Sequence, residues 1–210
     1  MMMIERKGIL GIIYLTMEWI TRIAYLNILW VLFTVLGLIV TGFAPATTSM
    51  FTLTRKWLKG NTDDKILPIF WNTYKREFVK SNLLIWPLLI AGYILYIDYQ
   101  YIMLVDGQLF FVLLVVFVNI LILYLITILY IFPTYVHFKF KNIFQYYKNA
   151  FILGFSSPFI TFSMLISLFI IGLVMEKIPG LIPFFLVASS SLVLTWYANL
   201  SFIKAEKRVN

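Results

Sequence analysis

Leu109-Phe-Phe-Val-Leu-Leu-Val-Val-Phe-Val-Asn119-Ile-Leu-Ile-Leu-Tyr-Leu-Ile-Thr127-Ile-Leu-Tyr-Ile-Phe132 is a run of 24 residues without a charge. As a helix at ~1.5 Å per residue it is about 36 Å long, and a bilayer's hydrocarbon core is roughly 30 Å thick. Twenty of the 24 are Leu, Ile, Val or Phe. Each of these favours insertion by about 0.3–0.6 kcal/mol near the centre of a span, which outweighs the lone Asn119. The segment reads as a membrane span, and the fold class as an all-α, polytopic helical membrane protein.

The rest of the chain fits that solvent. Hydrophobic residues are 62% and charged residues 12% of its 210 residues, with a mean hydropathy of +0.93. A soluble domain is about half apolar and a quarter charged. The length suits a single integral membrane domain over 1–210. Cysteine is absent and His137 is the lone histidine, which excludes disulfides, thiolate metal sites and His-rich metal sites. The formal charge is +8. Its basic residues flank apolar runs, so a bilayer with anionic headgroups is the expected counterpart rather than nucleic acid.

Five spans are predicted, at about 23–42, 83–101, 109–132, 151–175 and 181–203. Pro179-Gly180 separates the last two in a tight turn. The run Gly8–Met17 meets Glu18 instead of a small-residue cleavage site and reads as an interfacial helix; its alternative is part of a sixth span. Lys and Arg are distributed as 7, 0, 3, 1 and 3 over the four loops and the tail. That alternation predicts a cytoplasmic C-terminus and an outside N-terminus in a multi-pass protein of the cell membrane. Arg6, Lys7 and Arg22 run against the N-terminal assignment. The two halves also suggest a weak parallel repeat, with Tyr74-Lys75 falling on Tyr147-Lys148 at an offset of 73.

The first loop is the richest segment. Residues 43–60 read as a helix opened by Pro45 and closed by Gly60. A second helix runs from Pro68 into the next span, with Phe70, Tyr74 and Phe78 at four-residue spacing. Arg55, Lys56, Lys59, Lys75, Arg76 and Lys80 make this a basic surface. Two readings stay open: a lipid-facing anchor, or a docking surface for a partner such as a membrane transporter. Inside the spans Asn27, Thr34, Asn119, Ser163, Ser167, Thr195 and Asn199 are candidate interhelical polar residues, since they recur on single helix faces. Packing is one reading of those faces and a solute path the other. No cofactor, metal or catalytic motif is recognisable: no His-Glu-x-x-His helix, no phosphate loop, no Gly-x-Ser-x-Gly elbow. Asp63-Asp64, Asp98 and Asp106 read as solvated turns, and His137 as an interfacial contact.

Glu18-Trp-Ile-Thr-Arg22-Ile-Ala-Tyr25-Leu-Asn27-Ile-Leu-Trp30-Val-Leu-Phe33-Thr34-Val-Leu-Gly37 closely resembles the opening of the YesL-like family of small bacterial membrane proteins. Phe43-Ala-Pro45-Ala-Thr47-Thr48, Arg55-Lys56-Trp57-Leu58-Lys59-Gly60, Phe70-Trp71, Tyr74-Lys75-Arg76-Glu77-Phe78 and Lys80-Ser81-Asn82-Leu83 continue the likeness, which is specific over residues 18–97. The family is a domain of unknown function found mainly in Gram-positive bacteria. Its members are often encoded beside carbohydrate-uptake transporters and polysaccharide-degrading enzymes. The resemblance therefore implies a sugar-utilisation context and supplies no catalytic residue. The chain lacks a Glu-Ala-Ala-x-x-x-Gly coupling loop, so it does not look like an ABC permease subunit. The expectation is a non-enzymatic accessory or regulatory component of carbohydrate uptake. A small solute transporter or channel is the alternative, and a membrane-bound enzyme a weaker third.

Overall fold

The computed structural model describes residues 9–209. They form α1 (Ile9–Leu36), α2 (Val40–Leu58), α3 (Ile66–Ile102), α4 (Gln108–His137), α5 (Ile143–Ser156), α6 (Pro158–Lys177), a 3-10 turn (Pro179–Leu181) and α7 (Ile182–Val209), with no strand among the described residues. Five segments are long and apolar enough to cross a membrane: Gly11–Leu36, Ile66–Ile102, Gln108–His137, Pro158–Lys177 and Pro179–Glu206. On α4, Phe111 is 66% exposed and Val115 61%. Large apolar side chains facing outward all along a helix require hydrocarbon rather than water as their solvent.

The first expected span is displaced. Residues 9–36 are one uninterrupted helix, so the run read as interfacial is the start of α1; its first residue, Gly8, lies outside the described residues. The helix then breaks inside an apolar stretch. Ile39 has φ 62° and ψ −66°, and the Val40 amide donates back to the Leu38 carbonyl at 2.7 Å. This is a tight three-residue turn with positive φ, uncommon and strained for a β-branched residue. The reversal needs Gly37 and Gly42, because a Cβ on Gly37 would lie 2.4 Å from the Gly42 Cα and 2.3 Å from the Tyr74 hydroxyl.

The helix expected at 43–60 is α2, which starts earlier, at Val40, and is largely buried. It runs back along α1: Trp19 meets Trp57 with centroids 5.7 Å apart, and Trp30 meets Phe43 at 5.8 Å. Ala44, Ala46, Met50 and Leu53 are fully buried. Its hydroxyls return to their own helix, Thr47 to the Phe43 carbonyl at 2.7 Å, Ser49 to Pro45 at 2.8 Å and Thr52 to Thr48 at 2.8 Å. Such back-bonding hides hydroxyls from an apolar environment. Pro45 sits in the second turn rather than opening the helix. It has no N–H for the Thr41 carbonyl four residues earlier, and Asn82 of α3 supplies the donor at 2.8 Å. At the other end the Asn61 amide donates to Lys56 O and Gly60 to Trp57 O, at 3.1 and 3.0 Å. With Gly60 at φ +86°, this pairing is a Schellman stop.

The 37 residues of α3 make a helix about 55 Å long. Its first half packs antiparallel to α2 and its second half antiparallel to α4, where the Tyr124 hydroxyl donates to Leu88 O at 3.1 Å and Tyr99 meets Phe117 at 6.1 Å. The fourth expected span is broken by Ser157-Pro158. Proline disfavours a helical residue ahead of it, so α5 stops at Ser156 and α6 starts anew. Thr161 ties the junction by donating to Gly154 O at 2.9 Å. The turn expected at 176–180 is present, and α6 and α7 pair antiparallel, with Ser167 and Tyr197 hydroxyls 3.0 Å apart.

These pairings sort the connections. The turns at 103–107 and 178–181 lie at one end. The turn at 37–39 lies beside the middle of α3, where Asn82 donates to Thr41 O at 2.8 Å, roughly 30 Å along α3 from Met103. The loops 59–65 and 138–142 share a second end with the C-terminal end of α7. Arg22 belongs to that second end too, for it donates to Thr62 O at 2.5 Å and pairs with Glu18 at 2.5 Å. Arg55, Lys56, Lys59, Lys65, Lys139, Lys141 and Lys204 lie there as well, whereas Lys177 adjoins the α6–α7 turn and Lys75, Arg76 and Lys80 lie level with the 37–39 turn. Five spans are expected and five helices are long and apolar enough to cross a membrane; α2 is not among them.

Candidate functional site

The six candidate basic residues fall into two groups. Arg55, Lys56 and Lys59 end α2. Lys75, Arg76 and Lys80 lie on α3, beginning nine residues past Ile66, a rise of about 14 Å. In this stretch α3 is two-faced. Phe70, Thr73, Tyr74 and Ser81 are buried, while Trp71 is 41% and Val79 75% exposed beside Lys75, Arg76 and Lys80. The Lys75 ammonium sits 4.5 Å over the Trp71 ring. Arg76 donates to Glu77 at 2.7 Å, and the second Glu77 oxygen accepts from the Tyr135 hydroxyl of α4 at 2.7 Å. The inward face thus holds the fold, and the outward face carries charge next to apolar surface.

At the end of α2, Lys56 pairs with Asp64 at 2.8 Å. Arg55 turns inward. Its guanidinium donates to the Val136 and His137 carbonyls at 2.9 and 3.4 Å, capping the C-terminus of α4 where cations are favoured. Arg55, Lys59, His137, Thr195, Asn199 and Phe202 surround a narrow cleft between α2, α4 and α7.

The polar candidates divide three ways. Asn27, Ser167 and Thr195 do join helices. The Asn27 amide donates to Pro183 O at 2.7 Å and its oxygen accepts from Val187 and Ala188 at 3.0 and 2.9 Å. Thr195 faces Thr54 with oxygens 3.0 Å apart. Asn119 and Ser163 instead bond their own helices, at Val115 O (2.8 Å) and Phe159 O (2.9 Å); Asn119 is exposed. Thr34 is buried with its hydroxyl unpartnered, and Asn199 faces the cleft.

Several bonds between helices were missed in the sequence. Tyr130 is fully buried, with its hydroxyl 3.1 Å from both Thr161 and Ser201. Tyr147 donates to Leu84 O and Tyr124 to Leu88 O, around Pro87. Pro87 withholds its N–H from the Leu83 carbonyl, not from these two acceptors, so the sequence carries no signal for either bond.

A family model described as "Protein of unknown function, DUF624" matches residues 23–99. Three Bacillus subtilis (strain 168) proteins are similar over most of their length. YesL is 36% identical over 90% of this chain and 89% of its own. YteU is 37% identical over 88% and 82%, and YesV is 36% identical over 92% and 93%. Each of the three is described as an uncharacterized protein. No solved structure matches.

Proposed function

The chain belongs to the DUF624 family, and from that premise we propose a non-enzymatic, multi-pass component of the bacterial cytoplasmic membrane. It assists carbohydrate uptake by holding a partner protein against its basic face. The observation that carries the reading is the two-faced stretch of α3. Its outward Lys75, Arg76, Lys80, Trp71 and Val79 combine charge with apolar area as an interface does. The sugar context comes from the gene neighbourhoods that the family resemblance implies.

The proposed orientation rests on the Arg22–Thr62 bond, which brings α1 to the basic loop 59–65. On the positive-inside rule that loop, the loop 138–142 and both chain ends are cytoplasmic. The intramembrane hydroxyls argue against the transporter alternative. Thr54, Thr195, Ser167, Tyr197, Tyr130, Thr161 and Ser201 are engaged with one another, so they hold helices together instead of lining a path.

The test is a pull-down of wild-type protein and a Lys75→Gln, Arg76→Gln, Lys80→Gln variant at matched expression, with partners identified by mass spectrometry. The wild type retains subunits of a solute-uptake system and the variant loses them, with reduced growth on a complex carbohydrate. Identical partner sets, or none in either sample, defeat the reading. Sugar uptake into liposomes holding this protein alone would establish the transporter instead.

A further inference from the structure

We propose that the cleft between α2, α4 and α7 binds a phosphate-type oxyanion. The cleft is lined by the Arg55 guanidinium, the Lys59 ammonium, the His137 ring and the Asn199 amide, with Leu58, Pro133 and Phe202 as apolar walls. Every one of these four polar groups can donate a hydrogen bond, and no carboxylate stands among them. The ion pairs of the described residues are Arg22–Glu18, Lys56–Asp64 and Arg76–Glu77, so neither Arg55 nor Lys59 has a counter-charge. The Arg55 Nε is buried without a partner. A half-buried cation left without an anion is costly, and a bound oxyanion relieves that cost.

The surroundings fix the donors. Arg55 is held by its bonds to Val136 and His137 carbonyls. The His137 ring is clamped between Phe202 at 4.2 Å and Phe138 at 4.6 Å, and its nitrogens make no bond to protein. Thr195 is already bonded to Thr54 and to Ser191 O, so it shapes the wall. The cleft is narrow, admitting a group about the size of a single water. One oxygen of a phosphate enters while the rest of the ligand stays at the mouth near Lys59. The cleft lies at the C-terminal ends of α2 and α4, with Lys59 in its wall, and it is the seam of three helices. Basic pockets between spans on the cytoplasmic side are where anionic headgroups dock. The same chemistry would take a free phosphate ion, and the experiment separates the two sources.

Protein purified in an uncharged detergent is titrated with inorganic phosphate, with short-chain phosphatidylglycerol and with phosphatidylcholine of equal chain length, and thermal stability is read by tryptophan fluorescence. Phosphatidylglycerol raises the midpoint saturably and phosphatidylcholine does not. Lys59→Gln weakens half-saturation about fivefold, the factor matching ~1 kcal/mol for one basic residue near an anionic surface. Asn199→Leu weakens it as well, and Lys80→Gln, remote from the cleft, leaves it unchanged. Saturable stabilisation by phosphate, lost in Lys59→Gln, would assign the site to the free ion. Arg55→Gln is avoided as a sole test because it also uncaps α4. The proposal is overturned if no anion stabilises the wild type, or if Lys59→Gln and Asn199→Leu respond as the wild type does.

Discussion

Asn27 and Asn119 are both asparagines in apolar helices, and the structure assigns them opposite consequences on substitution by leucine. Asn27 is 1% exposed and joins α1 to the first turns of α7 through three bonds of 2.7–3.0 Å. Asn119 is exposed and returns one bond to its own helix. Hydrogen bonds between helices in a membrane average ~0.6 kcal/mol and reach about 1.7. Three bonds therefore give a loss between ~2 and ~5 kcal/mol for Asn27→Leu. The lower end is expected, because the freed Val187 amide recovers the Pro183 carbonyl within α7. Asn119→Leu replaces an outward amide by a lipid-compatible side chain and costs about zero or stabilises, by the central insertion preference of leucine. The assay is reversible unfolding of both variants in mixed micelles of increasing SDS fraction, read by tryptophan fluorescence. Equal midpoints for the two variants, or a lower one for Asn119→Leu, would refute the assignment of Asn27 as the α1–α7 tie.

Asn82→Leu removes the donor that serves the carbonyl orphaned by Pro45 and should cost about 1–3 kcal/mol; Pro45→Ala in the same chain restores an N–H for that carbonyl and should recover most of the loss, as measured in the same unfolding assay. Gly37→Ala places a methyl against Gly42 and the Tyr74 hydroxyl, so it should open the α1–α2 hairpin at a cost of about 1–3 kcal/mol, with increased proteolysis near Leu38 as a second readout.

Much of this architecture is legible in the residues. The uncharged run 109–132 is α4, and Pro179-Gly180 marks the α6–α7 turn. What hydropathy could not see is α2. The scale asks whether a segment is soluble in lipid, and Gly42, Ala44, Ala46, Thr47, Thr48 and Ser49 are covered by protein instead. Small and hydroxylic residues at that density are a packing signal, which fits the helix expected at 43–60. The break before α2 carries no proline and no charge; its turn is made by Leu38 and Ile39 at positive φ, which no propensity predicts. The break at Ser157-Pro158 is legible in the proline, which disfavours a helical residue ahead of it. The candidate cleft was not legible, since Arg55, His137 and Asn199 come from three helices far apart in sequence. Periodicity assigned Asn27, Thr195 and Ser167 to faces that do meet other helices, but it has no way to tell a lipid-facing asparagine such as Asn119 from one that faces a neighbour.

The proposed orientation puts both termini on the side of the basic loops, because Arg22 of α1 bonds Thr62 O in the loop 59–65. The direct measurement is protease protection on intact spheroplasts of protein carrying one epitope tag ahead of Met1, another after Asn210 and a third in the 103–107 turn. Both terminal tags survive until the membrane is permeabilised, and the tag at 103–107 is lost from the outside. An N-terminal tag that is digested in sealed spheroplasts while the C-terminal tag survives would contradict the account.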